Sequence, residues 1–166
     1  MGIMQKPAHR TIEPRAYDSL IQEGFIRQAD LVKAVQESLE GWTDLEGLLI
    51  EKYRIPKAAL GKTLSTFFDC PYIPYDDRTL ADPQRLNNLS HDYLRKHHWL
   101  PLKRQGDILD VLIDNPHDLD RGHDIRRSFP GLTIRYSLGL RRDIERFLNA
   151  TIGETDGGSI ADTLGE

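Results

Sequence analysis

The chain has 166 residues, 39% of them apolar and 29% charged, a composition that lets a domain bury a core without disulfide or metal staples. A net charge of −4 argues against a general nucleic-acid binder, because phosphate contacts call for a basic excess. A single cysteine, Cys70, excludes an internal disulfide and points to a reducing compartment. With no run of 18 apolar residues and no apolar segment before Pro14, neither a spanning helix nor a secretory leader is expected, which places the chain in the cytoplasm.

Residues 1–13 are polar and irregular and read as a disordered N-terminus. An internal repeat follows over residues 14–68. A shift of 29 residues lays Ala16 on Leu45, Leu20 on Leu49, Ile21 on Ile50, Ile26 on Ile55, Leu31 on Leu60 and Val35 on Leu64, each pair apolar in both copies. Within a copy the apolar residues keep helical spacing, as in Leu31, Ala34 and Val35. Each copy therefore reads as a helical hairpin, giving four helices in all. Gly24 supplies the first turn, Thr43 with Glu46 forms a capping box at the start of the second copy, and Pro56 opens its second helix, where a missing N–H costs little.

Prolines 71, 74 and 83 then break the helical pattern and make residues 69–85 an extended connector. Residues 86–152 read as α-β-β-α-β-α. A short helix, Ser90 to His97, has Leu89 and Tyr93 on its inner side. Trp99 to Lys103 and Ile108 to Ile113 pair as a hairpin about Gln105-Gly106, and the second strand is apolar enough to be central. A helix from Asp118 to Phe129, a half-exposed strand from Leu132 to Leu138 and a closing helix from Arg141 to Ala150 complete the unit. Residues 153–166, with Gly153, Gly157 and Gly158 among acidic neighbours, read as a flexible linker leading into a longer chain. The fold class is α+β: tandem helical hairpins, then a small three-stranded sheet with flanking helices.

The tempting motifs read as structural. Gly61-Lys62-Thr63 resembles the end of a phosphate loop, but Pro56 stands where the first glycine belongs and the stretch lies within a helix. The six histidines lack metal-ligand spacing. Asp107 and Asp114 are expected to flank a strand as turn residues, with Asp110 facing solvent or an arginine. Arg121, Arg126, Arg127, Arg135, Arg141, Arg142 and Arg146 read as a solvated basic face or a surface for an acidic partner. No nucleophile, base and orienting group occur together, so neither a catalytic residue nor a metal site is expected.

The two tandem hairpins followed by Cys70-Pro71-Tyr72, the basic helix end and proline strand Arg95 to Leu102, the turn Asp114-Asn115-Pro116-His117-Asp118 and the helix opening Arg141-Arg142-Asp143-Ile144 resemble one family. It is the N-terminal domain of the ATPases of type II secretion and type IV pilus assembly, the general secretion pathway protein E N-terminal or MshE-N-like domain, and the likeness spans roughly Arg15 to Ala150. The resemblance implies a non-catalytic regulatory and docking domain, cytoplasmic and peripheral to the inner membrane. Its implied partners are the cytoplasmic domain of an inner-membrane platform protein and the chain's own ATPase module, a hexameric motor beyond residue 166; neither nucleic acid nor membrane insertion is implied. The first hairpin, with Phe25, is the expected contact with the platform. No cofactor is implied in this segment except cyclic di-GMP, which some members bind through the tandem motifs. That alternative, a sensor domain, would use Arg15, Leu20, Ile21, Gly24, Phe25, Leu31, Leu45 and Leu49 as ligand positions. This sequence departs from the motif. Ala16-Tyr17 stands for Leu-Gly and Ser38 for the final Gln in copy one; in copy two Asp44-Leu45-Glu46 replaces Arg-Leu-Gly and Tyr53 the turn glycine. Two acids facing a dianionic ligand weaken its binding.

Overall fold

The computed structural model of the protein describes residues 12–41, 43–76, 78 and 89–164, with side chains as far as Ile152. Residues 1–11 of the N-terminus read as disordered over 1–13, and residues 77 and 79–85 of the connector read over 69–85, lie outside the described residues.

The repeat is present as read. Copy one is a 3₁₀ turn, Pro14–Tyr17, running into α1, Asp18–Gln22, and then α2, Gln28–Gly41; copy two is α3, Leu45–Glu51, and α4, Lys57–Phe68. The 29-residue shift carries the first residue of α2 onto the first of α4. Four of the six apolar pairs, 16/45, 20/49, 26/55 and 31/60, are buried in both copies and form one core. Two local expectations are corrected. The cap of α3 is Asp44, whose carboxylate accepts from Gly47 N–H at 3.1 Å, while the Thr43 hydroxyl donates to Gly41 O. Asp44 is one residue closer to the helix and offers a charged acceptor suited to that place. Pro56 is itself the cap residue and α4 starts at Lys57.

The two hairpin turns differ. Gly24 (φ +81°) closes α1 in a Schellman arrangement, with Phe25 N–H donating to Leu20 O at 2.9 Å and Gly24 N–H to Ile21 O at 3.1 Å. In copy two the left-handed residue is Arg54 (φ +55°), one position later than the Tyr53 that replaces Gly24. A non-glycine residue there costs about 1–2 kcal/mol.

The sheet follows the expected order, with α5, His91–His97, before it. Strands β1, Trp99–Gln105, and β2, Ile108–Ile113, pair antiparallel across Gly106 (φ +59°). After α6, Leu119–Ser128, strand β3, Thr133–Leu138, returns parallel to β2, which is central. Pro101 sits in the edge strand β1, beside a register shift before Lys103. Trp99, Leu109, Val111, Leu112, Phe147 and Leu148 lie in the second core. In α5 the fully buried side chain is Leu94, with Leu89 and Tyr93 only partly buried.

Two features join the lobes. The connector lies along β3: Leu138 N–H donates to Pro71 O at 2.6 Å, and Ile73 N–H to Leu138 O at 2.9 Å. Leu138 and Leu140, at the end of β3 and the start of the last helix, are buried in the core of the helical lobe. That helix, α7, is Arg141–Leu164. It continues past Ala150 through the segment read as linker, since each residue added to a formed helix gains a hydrogen bond and an internal glycine costs only about 1 kcal/mol.

Candidate functional site

The end of β2, the start of α6, the first turn of α7 and the start of α3 converge on a charged seam between the lobes. Asp118 caps α6 by accepting from Arg121 N–H at 3.1 Å. This holds Arg121 on the inner face of its helix, where its guanidinium donates to Asp118, Asp114 and the carbonyl of His97, the last at 2.6 Å. The Arg121 side chain is 2% exposed. Asp114 accepts in addition from Arg141 Nε at 3.2 Å and Nη2 at 3.1 Å. Glu46 Oε2 in turn accepts the Arg141 backbone N–H at 2.8 Å and so caps α7 from the other lobe. The next two residues of α7 also reach across: Arg142 pairs with Glu51 and Asp44, and the buried Asp143 with Lys57. Three consecutive residues at the head of α7 are thus tied to the helical lobe.

Burial and the carboxylates of Asp44 and Asp114 hold the Glu46 carboxyl well above the usual range, against the pull of Arg141. Burial, Glu46, Asp44 and Asp114 likewise push the Tyr17 phenol up. Asp114 differs: burial raises it, but Arg121 and Arg141 outweigh burial and keep it below the usual range. Within one seam the surroundings thus draw Asp114 toward its ionised form and Glu46 toward its protonated one.

Several sequence expectations change here. Asp114 is more than a turn residue; it is the acceptor shared by two arginines, with a side chain 8% exposed. Arg121 and Arg141 leave the solvated face for this seam, and Arg146 stacks over the Tyr75 ring at 4.1 Å. Asp110 does pair with Arg135, at 3.1 Å from Nη2. Gly61-Lys62-Thr63 lies inside α4, with Gly61 packed beneath the Tyr72 ring. Among the described residues no three His, Cys, Asp or Glu side chains gather to hold a metal ion, and no helix is long and apolar enough to cross a membrane. Burial and Asp69 raise the Cys70 thiol, as for an inert cysteine.

The positions read as ligand-binding separate into two groups. Leu20, Leu31, Leu45 and Leu49 are buried core residues. Ile21, Gly24 and Phe25 line an open depression of about 500 Å³ together with Ile26, Arg27 and Tyr53. Arg15 is exposed.

A family model described as the MshEN domain matches residues 68–158, from the end of α4 through the sheet and into α7. The chain belongs to the MshEN domain family. The match leaves most of the duplicated hairpins of this MshEN domain outside it. Type II secretion system protein E of Xanthomonas campestris pv. campestris is 28% identical over 150 residues; the aligned stretch is 87% of this chain and 26% of that protein. The structure of MshE with cdg aligns at a TM-score of 0.62 and 21% identity, covering 81% of this chain and 96% of that one. The N-terminal domain of XpsE aligns at 0.58 and 23% identity, covering 84% and 96%. At those identities the likeness is one of fold, and it extends over both lobes of the MshEN domain, in keeping with the N-terminal domains of secretion and pilus ATPases. The residues that tie the lobes together were visible in the sequence as the Asp114-to-Asp118 turn and the Arg141-Arg142-Asp143 run, but their partners lie far along the chain, 95 residues away for Glu46 and Arg141.

Proposed function

We propose that this MshEN domain is a non-catalytic docking domain. It binds the cytoplasmic part of an inner-membrane platform protein and orients an ATPase module that follows in a longer chain. One observation carries the reading. The first hairpin leaves large apolar side chains in water, with Phe25 40%, Val32 59% and Leu39 49% exposed. Val32 and Leu39 lie seven residues apart on α2, two turns along one face, and Phe25 borders the open depression at the hairpin turn. Exposed apolar side chains grouped on one element mark interaction sites. The same hairpin packs on α3 and α4, whose charges hold the head of α7. A partner seated on α2 therefore bears, through α3 and α4, on the head of the last helix. The test is calorimetry with the platform protein's cytoplasmic domain. Binding in the micromolar range that V32E/L39E abolishes supports docking, with the double variant's own stability within about 0.5 kcal/mol of the parent, as for surface changes. No heat at that concentration overturns it.

The alternative reading, a cyclic di-GMP sensor, has in its favour the fold shared with MshE and the exposed Arg15, which makes no ion pair among the described residues. Against it stand Tyr17 and Glu46, whose side chains fill the places where the motif has glycine. The same calorimeter loaded with cyclic di-GMP separates the readings: tight binding lost in Arg15→Ala supports the sensor.

A further inference from the structure

A small pocket of about 70 Å³ lies in the seam, lined by Tyr17, Asp44, Glu46, Asp114, Arg121 and Arg141 among others. It is built on the duplication, because Tyr17 and Glu46 are equivalent under the 29-residue shift. Both have hydrogen-bonding capacity left over. Tyr17 is 7% exposed, lines the pocket, and its hydroxyl makes no hydrogen bond among the described residues. Glu46 uses one oxygen on Arg141 N–H, and its other oxygen accepts nothing from the described residues. The two arginines on the wall are already committed, Arg121 to Asp114, Asp118 and His97 O, and Arg141 to Asp114. With Glu13 at the rim, four carboxyl groups on the lining face two guanidiniums. Burial first, and the neighbouring carboxylates second, displace both the Glu46 carboxyl and the Tyr17 phenol upward.

We infer that this pocket binds a guanidinium group, with the free oxygen of Glu46 and the hydroxyl of Tyr17 as its direct partners. A guanidinium is planar, weakly hydrated and donor-only, so it matches unfilled acceptors in a half-closed site. Phe68, also on the lining, offers it an aromatic neighbour. The pocket is far below the roughly 300–1,000 Å³ of sites for drug-sized ligands, so a cyclic dinucleotide does not fit within it. The group could arrive on a free small molecule or on an arginine side chain of a partner polypeptide.

The test is a ¹H–¹⁵N NMR titration of the whole chain with agmatine and, separately, with a short peptide holding one arginine. Saturable shifts centred on the amides of Tyr17 and Glu46 are expected. Tyr17→Phe should weaken binding about 5-fold, as for one neutral hydrogen bond, and Glu46→Gln by about 10-fold or more, as for a charged one, because the bound guanidinium takes the place of the proton on Glu46. Both variants keep the shape of the side chain, and their spectra show whether the fold is intact; Tyr17→Phe alone decides if Glu46→Gln unfolds. Tighter binding of the peptide assigns the source to a partner chain, and tighter binding of agmatine to a metabolite. Absence of saturable shifts at millimolar agmatine, equal affinity in Tyr17→Phe, or inorganic phosphate shifting the same amides overturns the assignment.

Discussion

Arg121 shows how much one side chain can hold together in this protein. Its guanidinium satisfies the acid at the end of β2, the cap of α6 and the last carbonyl region of α5, and almost no water reaches it. Removing one partner of a buried pair leaves the other charge uncompensated, a loss of about 3–5 kcal/mol. Arg121→Ala should lower the unfolding free energy by that amount in a urea titration. Arg121→Lys should not restore it, because an ammonium cannot meet three acceptors in a planar fork. Glu46 gives the opposite lesson. Burial, Asp44 and Asp114 raise its carboxyl above the usual range, so the folded state holds a proton there that the unfolded chain has released. The stabilisation is full at pH values below the ordinary carboxylate range and is lost as pH rises through the raised value. Glu46→Gln, which still accepts the Arg141 N–H, should therefore raise the melting temperature more at pH 8 than at pH 5. An equal gain at both would mean that Glu46 is not held protonated.

At the scale of elements, close approach between α4 and the connector is set by Gly61. A Cβ there would run into the Tyr72 ring, and Tyr72 is the residue that bridges to Leu138 on β3. Gly61→Ala improves helix propensity, yet the overpacking should dominate and destabilise the protein by about 1–3 kcal/mol in thermal melts. A stabilised variant would show that the ring swings away freely. The amphipathic pattern of α2 has a different meaning. Leu31, Ala34 and Ser38 make its packed face, while Val32 and Leu39 extend the apolar arc into an exposed stretch among the described residues. Helix α7 is the element most constrained at its start, by Glu46, Glu51 and Lys57 from the helical lobe.

For the whole molecule, the two cores are not independent. Leu138 and Leu140 leave the sheet lobe and are buried among Leu20, Leu49 and Leu64. The ion pairs of the seam then cross the same boundary. Hydrogen exchange should therefore give equal opening free energies for the amides of Leu60 in one core and Val111 in the other, as expected of one cooperative unit. A lower value for Leu60 would mean that the hairpins open alone.

The order of elements was legible in the residues. Two periods, helical in residues 14–68 and alternating in the strand from Leu132 to Leu138, are local consequences of which face of an element must be buried, and a 29-residue duplication is visible without any structure. The turns at Gly24 and Gly106 follow from short-range backbone chemistry in the same way. What the order of residues left open was the partnering of charges. Asp114 looked like a turn residue, Arg121 like part of a solvated face and Glu46 like a cap of its own helix, because each is polar and sits where polar residues commonly meet water. Only the packing of the two lobes removes that water and brings together groups far apart in the chain, and that desolvation turns ordinary surface charges into a buried seam.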